Sequence, residues 1–522
     1  MVNSVFDPAV AQISVFDALL RARAKAGGKT KIIEDHDRNP LSYDEIIRAA
    51  FALGGKIKAM TKPGENVGVL LPTGVGATVV FFALQAIGRR PAMLNFTAGL
   101  ANLKGAVAAA GIKRILTADK FLDQANLGDL VAELATVADV VKLEAVRAKL
   151  SIFDKLGALV AGAFPRAFRV KSAPNDPAVI LFTSGSFGTP RGVVLSHANL
   201  VSNVEQCAAH IDFDPDWVFF NPLPMFHCFG LTGGTLLPIL RGHKAFLYPS
   251  PLHFKEIPKL VQETGANVLF ATDTFAQQYA RASKNDELRG LKFAVLGAER
   301  VREETRQTYM NKFGVMLLEG YGATEASPVI AVNQPTANRA GTVGRILPGM
   351  EAKLEAVPGI DEGLKLVVRG PNVMLGYLDA NAPGGIAPPV DGWHDTGDII
   401  NLDADGYVAI KGRVKRFAKV GGEMVSLAAV ESFAQAVWPM NCHAAVSVAD
   451  SRKGERVILF TDHKQASTSD LLEFCQKQGA PEIAVPKKIV VVAEIPVLGT
   501  GKTDYVAIQR LAEREAAKAE AA

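Results

Sequence analysis

Four cysteines in 522 residues, Cys207, Cys228, Cys442 and Cys475, leave little room for thiol chemistry. No two form a CxxC pair and no histidine stands near them at ligand spacing, which argues against a zinc site or a disulfide framework and for a reducing compartment, the cytoplasm. Charge of one sign is scarce too: 57 Lys and Arg face 53 Asp and Glu, and a formal net charge of +4 is too small to argue for nucleic acid as a partner. Long unbroken apolar runs are missing. The uncharged stretch Asn66 to Gly88 is divided by Pro72, Gly74 and Gly76 into a buried strand and a helix from about Val75. Val218 to Leu240 is broken by Pro222, Pro224, Gly230, Gly233, Gly234 and Pro238, so neither reads as a membrane span. There is no repeat and no low-complexity block. The opening MVNSVFDPAVAQ lacks a basic stretch followed by an apolar core, so no secretion signal is expected.

What is present is ordinary globular composition, 48% hydrophobic and 21% charged, on a chain long enough for more than one domain. Short apolar runs alternate with helical stretches: Asn66 to Leu71, Arg114 to Thr117, Ala178 to Phe182, Asn267 to Ala271, Lys292 to Leu296 and Gly314 to Leu318. That rhythm predicts β-α units and largely parallel sheets. After about Thr342 the texture becomes glycine-rich with short alternating strands (Ala352 to Ala356, Leu364 to Val368, Tyr407 to Ile410), a small β-rich subdomain. From about Val414 a compact piece follows, ending in a charged, alanine-rich tail, Ala507 to Ala522, expected to be helical and exposed.

The most informative string is Leu181 to Gly192, LFTSGSFGTPRG. A strand-like run ends in glycines and hydroxyls and then a cation, Arg191. Glycines let a backbone approach a polyphosphate, turn amides and the Thr183, Ser184 and Ser186 hydroxyls can donate to its oxygens, and the cation balances charge. The plainer alternative is a strand-to-helix turn. No G-x-x-x-x-G-K-[ST] occurs here, and Gly74-Val75-Gly76 fails as a dinucleotide fingerprint because Val79 stands where a third glycine belongs.

The string resembles the TSGSxGxPKG signature of the adenylate-forming superfamily, which includes acyl-CoA synthetases, luciferases and peptide-synthetase adenylation domains. The resemblance runs from about Phe16 to Tyr505 and departs at Arg191, where the family has lysine; a planar fork replaces a point charge. It implies an α/β fold: a large N-terminal domain, residues 1–412, of two α/β subdomains plus a small β-rich one, and a small mobile α+β C-terminal domain, residues 413–522. It also implies ATP and Mg²⁺ and a set of site residues. Thr183, Ser184, Gly185, Ser186, Gly188 and Arg191 would hold phosphate. Gly297, Ala298 and Glu299 match an adenine-side loop. In Glu319 to Glu325, EGYGATE, Tyr321 and Gly322 would lie at the adenine, Thr324 at the α-phosphate and Glu325 at the metal. Asp398, in GWHDTGD, and Arg413, in KGR, would bind the ribose; Lys415 matches the hinge; Lys502, in VLGTGK, matches the catalytic lysine; His227 matches the mouth of the acyl pocket.

The implied chemistry suits these groups. A carboxylic acid is already ionised at neutral pH, so joining it to the α-phosphate of ATP needs no strong base, and repulsion between two anions is the obstacle. Cations and oriented donors are the remedy. Gly230, Gly233 and Gly234 would open space for a linear acyl chain, which favours a fatty acid.

Longer strings, among them Gly341 to Met350 (GTVGRILPGM) and Arg416 to Ser426 (RFAKVGGEMVS), are similar to the synthetase half of the bifunctional bacterial 2-acylglycerophosphoethanolamine acyltransferase/acyl-[acyl-carrier-protein] synthetases. None of the nine histidines is followed five positions later by aspartate, so the acyltransferase motif H-x-x-x-x-D of the other half is missing. The implied activity is transfer of a fatty acyl group, through acyl-AMP, to the phosphopantetheine thiol of acyl carrier protein. A fatty acyl-CoA synthetase using free coenzyme A and a non-catalytic nucleotide-binding protein stay open as alternatives. Lys411, Arg413, Lys415, Arg416 and Lys419 form a basic cluster suited to an acidic carrier, to coenzyme A phosphates, or to solvent.

Residues 142–171 carry Lys142, Arg147, Lys149, Lys155, Arg166, Arg169 and Lys171 against Glu144 and Asp154, with Leu143, Val146, Leu150, Phe153, Leu156 and Val160 at roughly helical spacing. Two readings are open: a basic amphipathic helix lying peripherally on the inner face of a membrane, or a packed helix connecting subdomains.

Overall fold

The computed structural model of the chain describes residues 6–183, 190–284, 286–360, 362–378, 385–420, 423–450, 454–478, 483, 485–498 and 502–521. The short apolar runs are strands. Nine of them form one sheet in the order Arg345–Ile346, Val329–Val332, Met316–Gly322, Phe293–Leu296, Val268–Ala271, Val218–Asn221, Lys244–Leu247, Lys31–Asp35, Leu41–Ser42. From Met316–Gly322 to Lys31–Asp35 every pairing is parallel. Val268–Ala271 and Phe293–Leu296 are buried at every position, as continuous apolar runs in a two-face-covered sheet should be.

A second sheet of eight strands has the order Ile386–Ala387, Gly376–Leu378, Arg191–Ser196, Pro177–Thr183, Arg90–Met93, Asn66–Val69, Arg114–Thr117, Asp139–Lys142. The helix expected from about Val75 is Val75–Ala86 and lies in the core with Phe81 and Phe82 fully buried. The strand at 177–183 does not lead straight into a helix. It pairs antiparallel with Arg191–Ser196, Thr183 opposite Arg191, and only then does a helix, His197–His210, begin under a Ser196/Asn199 capping box. The glycine- and hydroxyl-rich string therefore joins two strands, so both of its ends are pinned by sheet hydrogen bonds.

Two compact units divide the chain: residues 1–340 with 344–351 and 369–394, and residues 341–343 with 352–368 and 395–522. The second unit contains most of a four-stranded sheet (Glu351–Glu355, Leu364–Arg369, His394–Leu402, Val408–Arg413), which accounts for the β-rich texture. It also contains Glu423–Ser426, Phe417–Val420, Gly454–Thr461 and His443–Asp450 in a further sheet, with Lys488–Val491 beside Gly454–Thr461. The tail is helical, Tyr505–Ala521, but is not simply exposed. Ile508 and Ala512 are fully buried in a cluster with Ala444, Val446, Ile458 and Phe460, because this sheet face would otherwise be bare. Among the described residues no helix is long and apolar enough to cross a membrane.

Candidate active site

In the first unit the expected groups converge at carboxyl ends of parallel strands, where open α/β sheets leave a crevice. Thr183 ends one strand and Arg191 begins its neighbour; Ser184, Gly185, Ser186 and Gly188 lie outside the described residues. Tyr321 and Gly322 end the strand Met316–Gly322, and Thr324 and Glu325 follow in one 3₁₀ turn, Thr324–Ala326. A residue with no part in the motifs joins the two. Tyr377, on the strand Gly376–Leu378 that pairs with Arg191–Ser196, lies under the Arg191 guanidinium at 3.7 Å from ring centroid to Cζ and donates its hydroxyl to Glu325 Oε1 at 2.7 Å. Burial, and then the Glu325 charge, push the Tyr377 hydroxyl above its ordinary pKa against the opposing pull of Arg191, so it remains a proton donor. A planar guanidinium stacks on a ring face as an ammonium cannot in the same way, which gives Arg191 a use in place of lysine.

The Glu325 turn is anchored from behind. Its carbonyl accepts from the Met374 amide at 2.8 Å, and the fully buried Asn372 donates to the Ala326 carbonyl at 2.7 Å while its own carbonyl accepts from Ser327 Oγ at 2.8 Å. The helix His197–His210 adds Asn199, which donates to the Pro371 and Val373 carbonyls, and Asn203, which exchanges two bonds with Val329. These amides at one helical face hold the turn by satisfied, buried hydrogen bonds.

Gly297, Ala298 and Glu299 leave the strand Phe293–Leu296. Ala298 has φ 72°, left-handed backbone that a non-glycine residue adopts at a cost of order 1–3 kcal/mol, of the kind functional loops retain. Glu299 Oε2 accepts from the Thr274 amide at 3.0 Å, which fastens this loop to the first turn of the helix Asp273–Ala282.

His227 is half-buried, its ring edge-on to Phe226 at 4.7 Å between centroids, at the start of a fully packed segment that runs into a π-helix, Phe229–Leu236. Of the three glycines expected to open space for an acyl chain, Gly230 and Gly234 are packed tightly against protein. A Cβ on Gly230 would fall 2.3 Å from the Pro224 carbonyl oxygen and one on Gly234 2.2 Å from the Asn221 side chain, so these positions are small because protein fills them. Burial pushes the neighbouring Cys228 thiol up to about 12, which removes it as a nucleophile.

In the second unit two motifs fifteen residues apart become cross-strand partners. Asp398 faces Arg413 in the register of His394–Leu402 and Val408–Arg413, and Arg413 Nε donates to Asp398 Oδ1 at 2.8 Å, with the Asp398 side chain 4% exposed and that of Arg413 62%. Lys415 lies exposed in a single 3₁₀ turn, Val414–Arg416, between extended segments of two sheets. Lys502 is exposed, and its carbonyl accepts from the Leu498 amide at 2.7 Å. The basic cluster is less open than its sequence suggests. Arg416 is bound to Glu431 at 2.8 Å and stacks on Tyr505 at 3.8 Å, and Lys411 pairs with Glu362 at 2.5 Å.

The donor set can also be tested against Mg²⁺. Among the described residues no three His, Cys, Asp or Glu side chains group together as a metal cage, and Glu325 is the lone carboxylate of its turn. That fits an ion held by one carboxylate, with phosphate and water oxygens completing its shell.

Residues 19–378 match the family model described as AMP-binding enzyme. The chain belongs to that family. The match includes the string Leu181 to Gly192, the Glu325 turn and Tyr377, and stops before Asp398. Over 496 residues the chain is 26% identical to the medium-chain fatty-acid–CoA ligase of Escherichia coli K12, covering 91% of this chain and 86% of that protein. It is 32% identical over 348 residues to the long-chain-fatty-acid–CoA ligase of Salmonella typhimurium, covering 63% of this chain and 60% of that one. ATP-bound MatB from Rhodopseudomonas palustris superposes with a TM-score of 0.82 at 24% identity over 95% of this chain and 98% of its own, a likeness of fold.

Tyr377 was not legible as part of the site because its partners are remote in sequence, 52 residues away in the case of Glu325. The Asn199, Asn203 and Gln206 amides did leave a signal. Their spacing, i, i+4 and i+7, puts three amides on one helical face, the mark of a hydrogen-bonded seam once that face is covered.

Proposed function

We propose that this AMP-binding enzyme is an ATP-dependent fatty acid ligase that transfers the acyl group to the phosphopantetheine thiol of acyl carrier protein. The linkage Arg191–Tyr377–Glu325 carries the reading, since it ties the end of the phosphate loop to the carboxylate that would hold Mg²⁺. When bound, that ion would offset phosphate charge. In the first half-reaction a carboxylate oxygen bonds to the α-phosphorus and pyrophosphate leaves. Lys502 would stand between the two anions, with Thr183, Arg191 and Thr324 on phosphate, Gly297 to Glu299 and Tyr321 about the adenine, and Asp398 and Arg413 at the ribose. In the second, the thiol sulfur bonds to the acyl carbon, AMP leaves, and the thiol proton passes to solvent. Residues 413–522 would turn about Lys415 between the two, because a 3₁₀ turn flanked by extended backbone can absorb a torsional change with little packing disturbed. His227 would mark the acyl entrance. The cytoplasm suits the reduced cysteines, three of them buried.

A second acceptor, coenzyme A, has its own support. Arg413, Arg416 and Lys411 are engaged within the chain, which weakens a charge-steered encounter with an acidic carrier, and the relatives described above are named as CoA ligases. Incubation with ATP, Mg²⁺, palmitate and either holo-acyl carrier protein or coenzyme A, with thioester scored by mass, separates the two. Thioester on coenzyme A at equal or greater rate overturns the carrier-protein reading, and no acyl-AMP in either arm overturns the ligase.

A further inference from the structure

The helix Ile152–Ala163 packs backwards for an amphipathic helix. Its inward stripe is small: Ala158, Ala161 and Gly162 are buried, and a Cβ on Gly162 would lie 2.6 Å from Arg48 Cγ of the helix Tyr43–Met60. Lys56 from that helix holds Asp154 at 2.7 Å. Ile152, Phe153, Leu156, Leu159 and Val160 then point the other way, within an arc of about 120° at 100° per residue. They are exposed, Phe153 by 79% and Ile152 by 64%, and the surface continues through Phe164 at 65% and Phe168 at 55%. An apolar surface of this extent on a soluble chain marks an interaction site.

Its rim is basic. Arg147, Lys149, Lys155, Arg166 and Lys171 are exposed and make no ion pair among the described residues, and from 145 to 175 the one acidic residue is Asp154, already engaged. A second copy of the same face would bring like charges together. A bilayer with anionic headgroups satisfies both parts at once, taking the large side chains into the acyl boundary and the cations at the phosphates.

We propose that the outward face of 152–168 docks the enzyme on an anionic lipid surface. This is independent of the acceptor and of the adenylation chemistry. The full chain is mixed with phosphatidylcholine vesicles, with or without about 30% phosphatidylglycerol, and the bound fraction is read by sedimentation. Binding is expected with phosphatidylglycerol and should weaken with salt. Phe153→Ser with Leu156→Ser should lower the vesicle partition coefficient by roughly tenfold or more, and Lys149→Glu with Lys155→Glu should remove the preference for the anionic lipid. A Phe153→Trp variant should shift its emission to the blue on phosphatidylglycerol vesicles only. Because these side chains are exposed, the variants should keep the wild-type melting temperature and rate of acyl-AMP formation. Equal partition of wild type and the serine variant, no preference for phosphatidylglycerol, or a wild-type dimer in sedimentation that the serine variant dissolves would overturn the proposal; the last would assign the face to a second copy.

Discussion

In the first unit Glu325 is held at both ends, its carboxylate by Tyr377 and its carbonyl by the Met374 amide, whereas in the second Lys415, in a short 3₁₀ turn, and Lys502 are exposed. The difference is one of backing. The Glu325 turn rests on buried amides from Asn199, Asn203 and Asn372, each satisfied by backbone partners, so moving it breaks several bonds in a low-dielectric interior. The two lysines have solvent on one side and a few local bonds on the other. In the proposed mechanism a group that holds the metal in place gains from the first arrangement, and one that serves a single half-reaction gains from the second.

The sharpest way to break the comparison is Lys502→Ala. Acyl-AMP formation, followed by pyrophosphate release, should fall by at least ~10³-fold, while thioester formation from supplied acyl-AMP stays within a few fold. Equal loss in both assays, in a folded variant, would give Lys502 a role shared by the two steps. Lys415→Pro should do the opposite, lowering thioester formation by roughly 10²-fold and sparing adenylation, since the ring restricts the torsion on which exchange depends. Normal thioester turnover would move the hinge elsewhere.

Tyr377→Phe sharpens the other side. Removing one hydrogen bond to a charged group should cost about 1.5–3 kcal/mol of alignment at Glu325, read as a roughly ten- to hundredfold lower adenylation rate with a higher Mg²⁺ requirement. The Lys415-dependent second step should be unmoved. If the melting temperature fell while the Mg²⁺ dependence stayed put, Tyr377 would be structural only.

The smallest expected effect concerns the basic cluster. Lys419→Glu, on an exposed side chain, should raise the KM for carrier protein a few fold and leave stability alone, with the effect fading as salt screens beyond about 10 Å. Arg416→Glu is the contrast: loss of the Glu431 pair and the Tyr505 contact should lower stability by about 2–3 kcal/mol in any assay of unfolding. Identical behaviour of the two variants would mean that the cluster acts as one surface after all.

The sequence by itself determined the parts whose chemistry is local. The string resembling a phosphate loop, the Thr-Glu pair and the glycine-framed lysine are each written in a dozen consecutive residues or fewer, and the alternation of buried strands with helices announced parallel sheets in the same way. The tertiary structure decided everything that depends on who lies opposite. Tyr377 joins Arg191 to Glu325 only because its strand pairs beside Arg191–Ser196; Gly230 and Gly234 are small because Pro224 and Asn221 pack against them; Arg416 is occupied by Glu431. Periodicity likewise placed apolar residues along the helix Ile152–Ala163 without saying which side would be covered. Helical spacing fixes which residues share a face, but the neighbour chooses the face, and here Arg48 of the helix Tyr43–Met60 meets Gly162 and Lys56 holds Asp154, which leaves the large residues in solvent.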